Sequence, residues 1–278
     1  MRHQHIWVLI LAATFSPLLQ RSATDLMPRD GVVATVEAAG AEVQASGSAI
    51  ARTRDGKPDL SGIWQAFTTA NFDIQDHSAQ PGVPAGVGIV EGNELPYQPA
   101  ALAKKHENFA NRDKADPECV TPGMPRIMYM PFPFQIFQQP DELLLVFEYV
   151  DQVRNLYIKN SQHPEGPIEW FMGDSRAHWE GDTLVVDVIH NENTWLDRVG
   201  NFHSDALHMV ERWTLIDRDH INYEATLDDP KVFLRPWKMN FVLYRRIEKN
   251  FKILDYLCPA FPLQKYYPYP EVSAAPGK

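Results

Sequence analysis

Gly173–Trp237 reads GDSRAHWEGDTLVVDVIHNENTWLDRVGNFHSDALHMVERWTLIDRDHINYEATLDDPKVFLRPW, and this stretch decides the fold. Alternating runs rich in Val, Thr and Trp are separated by tight polar turns, the signature of hairpins. Ser175–Trp179, the Glu180-Gly181-Asp182 turn and Thr183–His190 form one hairpin. Leu207–Ile216, the Asp217-Arg218-Asp219 turn and Ile221–Leu227 form a second. His, Asp, Glu and Arg sit between the apolar positions, which predicts a sheet whose inward face is partly polar and lines a cavity.

Outward from there the pattern continues. Leu143–Val150 with Val153–Ile158, and Trp237–Arg246 with Phe251–Leu257, read as two further hairpins. A strand carrying Trp64 follows Gly56-Lys57-Pro58. Pro99–Arg112 is the one good helix, and Asp116–Pro140 holds too many prolines for a helix, or for a central strand outside Phe134–Gln138. Phe72–Gly92, rich in Gly, Pro and Gln, reads as a long loop. The expected fold is mainly β: an antiparallel meander closed or strongly bent into a calycin-like barrel, with one short helix and Pro-rich wrapping segments.

Arg2 and the apolar run Ile6–Ala13 have the proportions of a secretory signal peptide over residues 1–23. Residues 24–55 read as a poorly ordered lead-in and 56–278 as one domain. The expected location is periplasmic or secreted, with no membrane association after cleavage. Cys119 and Cys258, the two cysteines of the chain, suit one bridge in such a compartment; buried or free thiols are the alternative. With a net charge of −10 and no run of Lys or Arg, the chain is not expected to bind nucleic acid.

Alternation assigns faces. Leu207, Met209, Glu211, Trp213 and Leu215 share one; His208, Val210, Arg212, Thr214 and Ile216 the other. Glu148 falls on a face with Leu144, Val146 and Val150. A carboxylate among apolar side chains must be paired or have its pKa raised, as a general acid or base requires. The structural alternative for Glu211 is an ion pair with Arg154, Arg212 or Arg235. The loop Asn191–Asp205 is dense in chemistry. There His203 reads as acid or base, Asp205 as its orienter, and Asp197 or Glu211 as second carboxylate. The plainer reading makes Asp205 a turn cap and His203 a solvated residue. Arg212 and Arg235 would hold an anionic or carbonyl oxygen, with His190, Glu148, Trp195 and Trp213 completing the substrate wall. His203, Asp205 and His208, with His190 or Glu192, could supply metal ligands, but no HExxH, paired CxxC or calcium-loop spacing is present. Nor is there a GxSxG, GxGxxG or P-loop. The expected protein uses no metal and no cofactor. It acts by acid/base chemistry, as a lyase, dehydratase or isomerase, on a small, partly apolar molecule in a barrel cavity. A non-catalytic lipocalin-like carrier is the alternative.

PDLSGIW at Pro58–Trp64, the C-x-x-P-G-x-P-R run at Cys119–Arg126, GDSRAHWEGDTLVV, NTWLDRVGNFHSDALHMVER and ATLDDPKVFLRPW together resemble a group of exported bacterial proteins. The likeness spans about Gly56–Tyr256 and implies export without naming an activity. In that group the last Cys is often followed by His-Glu-Gly-Asn, whereas here Pro259-Ala260-Phe261 follows Cys258. Gly62-Ile63-Trp64 is also similar to the Gly-x-Trp opening strand of lipocalins and other calycins. That fold group contains both ligand carriers and cofactor-free enzymes, so the likeness implies a barrel and leaves both functions open.

Overall fold

A computed structural model describes residues 50–81, 83–112, 120–159 and 162–256. The proposed signal segment, most of the lead-in, Cys119 and Cys258 lie outside the described residues. Nine strands close into a barrel in sequence order: β1 Gly62–Ala66, β2 Phe134–Gln138, β3 Glu142–Phe147, β4 Val153–Tyr157, β5 Asp174–Glu180, β6 Thr183–Ile189, β7 His208–Asp217, β8 His220–Asp228 and β9 Trp237–Arg245. Among the described residues one α-helix, α1, spans Pro99–Ala110 with Pro99 at its first turn. The expected mainly β barrel with one short helix is the observed fold. Among the described residues no helix is long and apolar enough to cross a membrane.

Local chemistry explains the hairpins. Gly181, at φ 60°, makes the β5–β6 turn, and Asp217 Oδ1 accepts the Asp219 backbone N–H at 2.8 Å in the β7–β8 turn. The fourth expected hairpin does not form, because Phe251–Tyr256 is not a strand. β9 pairs instead with β1, Trp64 opposite Arg245 and Ala66 opposite Leu243, and this closes the ring. Closure satisfies both edges at once, so nothing remains for a tenth strand to cover.

The ring is not wholly antiparallel. Strand direction must return to itself after one circuit, so a closed ring needs an even number of antiparallel neighbours. With nine strands one pair has to be parallel, and here it is β4–β5. That seam is short: only Leu156–Ser175 and Tyr157–Arg176 are in register.

The lumen is a packed core, correcting the expectation of a hollow. Trp64, Phe134, Tyr129, Trp213 and Tyr223 are all buried within it. The 3₁₀ turn Arg126–Tyr129 is also buried, and Tyr129 stacks edge-on against Phe241 at 5.9 Å. The inner face of β7 is the one that alternation predicts: Met209, Glu211, Trp213 and Leu215 are buried. On β3 the inner residues are Leu143, Leu145 and Phe147, so Leu144 and Val146 face outward. Glu148 follows the last of these strand residues. It is half-buried, and its Oε2 accepts the backbone N–H of Leu254 at 2.9 Å.

Glu211 is wholly buried and Arg154 is 1% exposed; Arg154 Nη1 and Nη2 donate to Glu211 Oε1 and Oε2 at 3.1 and 2.8 Å. Tyr223 Oη donates to Oε1 at 2.6 Å and Trp213 Nε1 to Oε2 at 3.3 Å. Arg154 Nε donates to Ser175 Oγ at 3.1 Å. Burial, with the Glu211 charge beside it, holds the Tyr223 hydroxyl well above the usual tyrosine range. Glu211 is therefore the ion-paired alternative, with Arg154 as partner. Removing one member strands a charge in the core. Arg154→Met is expected to cost about 3–5 kcal/mol of unfolding free energy, and adding Glu211→Leu is expected to restore part of it. Urea denaturation of both variants checks this; equal losses in the two would refute it.

Candidate functional site

The loop between β6 and β7 folds as a miniature hairpin. Trp195 pairs with Phe202, Leu196 N donates to Asn201 O at 2.6 Å, and His203 N donates to Thr194 O at 3.2 Å. Asp197 organises its tip. Its carboxylate accepts from Val199 N (3.1 Å), Asn201 N (3.0 Å) and Asn201 Nδ2 (2.6 Å), and from Ile74 N (3.1 Å) on a neighbouring loop. Gly200 takes φ 87° where the chain turns back, and a Cβ there would come within 2.8 Å of Asn108 Cβ on α1. Asn108 Nδ2 donates to Gly200 O at 3.2 Å. Helix α1 thus buttresses the tip of the loop.

The two arms place Thr194 against His203. Thr194 Oγ1 lies 2.8 Å from His203 Nε2, and His203 Nδ1 lies 3.0 Å from Ser204 O. A carbonyl can only accept, so Nδ1 carries the proton and Nε2 accepts from the Thr194 hydroxyl. His203 is 1% exposed. Burial lowers its pKa from the usual histidine value, against the pull of Ser204 O, Asp229 and the Met124 backbone, so the ring is neutral near pH 7. Ser204 is itself fixed: its N and Oγ donate to buried Asp229 at 2.6 and 2.8 Å.

Thr194 opens onto a cleft of about 270 Å³, whose walls also hold Trp195, Phe171, Tyr149, Arg126 and Arg198. Arg126 is buried and its Nε donates to Asn71 Oδ1 at 2.9 Å, while the Arg198 guanidinium lies over the Phe72 ring. Gly123, at φ 71°, passes so near that a Cβ would meet Thr194 Oγ1 at 2.9 Å. A larger cleft of about 560 Å³ beside Phe67 and Val87 shares no lining residue with this one, whereas one of about 440 Å³ adjoins it through Phe171.

Of the residues singled out from sequence, the structure gathers His203, Asp197 and Trp195 in one hairpin. It does not bring Asp205 to His203: Asp205 is bonded to Lys231 Nζ at 2.7 and 2.9 Å. Glu211 and Trp213 lie in the core. Arg212 is on the exterior with Glu180 at 2.9 Å, and Arg235 is exposed, 4.0 Å from Glu94. His190, at φ 62°, bonds Pro164 O through Nε2 at 3.0 Å. Sequence reasoning missed Thr194, whose type carries no signal of its own, and Asp229, which reaches Ser204 from beyond β8. Among the described residues no three His, Cys, Asp or Glu side chains are grouped to hold a metal ion.

No family model matches the chain, and no curated protein is similar enough to count as a relative.

Burial and the nearby Asp73 charge push the Asp197 carboxyl up to about 7, in spite of its N–H donors. An acid whose pKa rises on folding takes up a proton between its unfolded and folded values. Its stabilising contribution is therefore full below about pH 4 and lost as the pH rises through about 7. Wild-type stability is expected to carry this downward component from pH 4 to 7, and Asp197→Asn to remove it. Urea midpoints across that range check the sign; an identical slope in the variant would contradict it.

Proposed function

We propose that the chain is a cofactor-independent acid/base enzyme of the lyase or isomerase class, with Thr194 and His203 as its proton-transfer couple. The observation that carries this reading is the 2.8 Å contact between Thr194 Oγ1 and His203 Nε2 at the wall of a cleft. With Nδ1 committed to Ser204 O, the imidazole has one lone pair to offer, and it faces the hydroxyl. Thr194 can take a proton from a substrate C–H while passing its own to Nε2, and the reverse transfer returns it. In double-bond migration the proton goes back to a different carbon; in an elimination it goes to the departing hydroxyl, which leaves as water as the C–O bond breaks. The imidazolium formed in between keeps its bond to Ser204 O, with the Asp229 charge one residue further on. Arg126 and Arg198 place positive charge on the same wall, where an oxyanion would develop. At about 270 Å³ the cleft lies just below the ~300 Å³ lower end of small-molecule sites, so it fits only a substrate of a few heavy atoms, and Trp195, Phe171 and Tyr149 supply its apolar side.

The basic, apolar N-terminus supports export, and the motif set supports kinship with the exported bacterial group it resembles. A Cys119–Cys258 bridge would suit that compartment; intact mass before and after reduction reads the bridge and the processed start together.

The enzyme reading is tested by following hydrogen–deuterium exchange at carbon, by proton NMR in D₂O, over a panel of small hydroxy acids and ketones. Exchange above the buffer rate is expected, falling on the acid side as His203 gains a proton. Thr194→Val, which keeps the shape and removes the hydroxyl, is expected to lower the rate by about 10²-fold or more. Binding of panel members in this cleft without exchange would replace the enzyme with a carrier.

A further inference from the structure

We propose that His163 is a proton-operated clasp that fastens the segment His163–Gly173 onto the barrel and so sets one wall of the cleft. The ring stands between two carboxylates, with Nδ1 2.6 Å from Asp174 Oδ2 and Nε2 2.8 Å from Asp187 Oδ1. Ionised carboxylates only accept, so making both bonds requires a proton on each ring nitrogen. The neutral imidazole has one N–H and would turn its lone pair against the other carboxylate.

The surrounding groups continue an alternation of charge across β5, β6 and β7. Arg176 Nε and Nη2 hold Asp174 at 2.6 and 2.7 Å, and His208 Nε2 holds the second oxygen of Asp187 at 2.8 Å. The Arg176 guanidinium lies over Tyr157 of β4, the His190 ring is 6.4 Å from His163, and the segment itself carries Glu165 and Glu169. Although burial works against ionisation of Asp174, Arg176 and His163 hold its pKa below the usual carboxylate value. Asp174 therefore stays charged in mild acid.

What the clasp fastens is the stretch His163–Gly173 that leads into β5. Trp170 N donates to His190 O at 2.8 Å, Glu192 N to Trp170 O at 3.1 Å, and Met124 N to Phe171 O at 3.0 Å. Phe171 lines both the Thr194 cleft and a neighbouring one of about 440 Å³ beside β4. Loss of a His163 proton therefore loosens the segment that carries this shared side chain. The consequence for catalysis rests on the function proposed above; the clasp itself does not.

Amide hydrogen exchange from pH 5 to 8 tests it without any substrate. Referred to intrinsic rates at each pH, protection at Trp170 and Gly173 is expected to fall by about tenfold or more toward pH 8, the equivalent of one lost charge-assisted hydrogen bond. His163→Gln has no titrating proton and is expected to flatten the profile. Asp187→Asn is expected to weaken it, and His208→Gln to leave it in place. Equal protection at both pH extremes in the native chain, or an unchanged profile in either the His163 or the Asp187 variant, overturns the clasp. Neither result bears on exchange at substrate carbon, so the two readings fail separately.

Discussion

The Arg154–Glu211 pair is the interaction on which the rest of this barrel depends. Arg154 comes from β4 and Glu211 from β7, while the Arg154 Nε reaches Ser175 on β5. One side chain thus bridges the parallel seam that an odd ring imposes and that two register pairs would otherwise hold. A guanidinium in a dry core tolerates little displacement, because each donor it loses leaves charge unsatisfied in a low-dielectric surrounding. Trp213 and Tyr223 complete the carboxylate's partners, and their rings fill the space beside it. The same set of contacts fixes register and excludes water.

A filled lumen leaves the clefts at the barrel's exterior as the candidate sites. The proposed proton-transfer couple sits on the hairpin between β6 and β7, which is held by buried polar contacts. Asp197 shapes the tip, Gly200 admits α1, and Asp229 fixes Ser204, whose carbonyl selects the His203 tautomer. Most of these contacts run through backbone groups: Val199 and Asn201 N–H to Asp197, Asn108 to Gly200 O, Ser204 N–H to Asp229, and His203 to Ser204 O. A rigid body carrying chemistry on its connections is the usual division between scaffold and site.

Much of the scaffold was legible in the sequence because its determinants are local. Strict alternation along Leu207–Ile216 puts Glu211 indoors, and short turns with Gly181 or Asp217 mark two hairpins. The β1–β9 closure and the parallel β4–β5 contact join residues far apart, and no local pattern announces them; the Phe251–Leu257 strand was expected for want of that partner. Glu148 was assigned a face with Val146 because alternation alone does not say which face of β3 is inner, and Phe147 decides it. At the site, the density of the Asn191–Asp205 loop pointed to His203. Proximity in sequence then suggested Asp205 as its companion, yet Lys231 claims that carboxylate and the charge behind His203 comes from Asp229. His163 lies in a connection without strand pattern, and its two carboxylates are neighbours only once β5 and β6 have paired.

An odd strand count builds a dislocation into the wall of this cylinder. Along this one line the register stops after two pairs, and residues of the following connection, Trp170 to Gly173, line a cleft beside it. A relative with one strand more or fewer could close with perfect alternation. It would then not need the arginine that spans the fault, and the hollow beside Phe171 would have no wall to borrow.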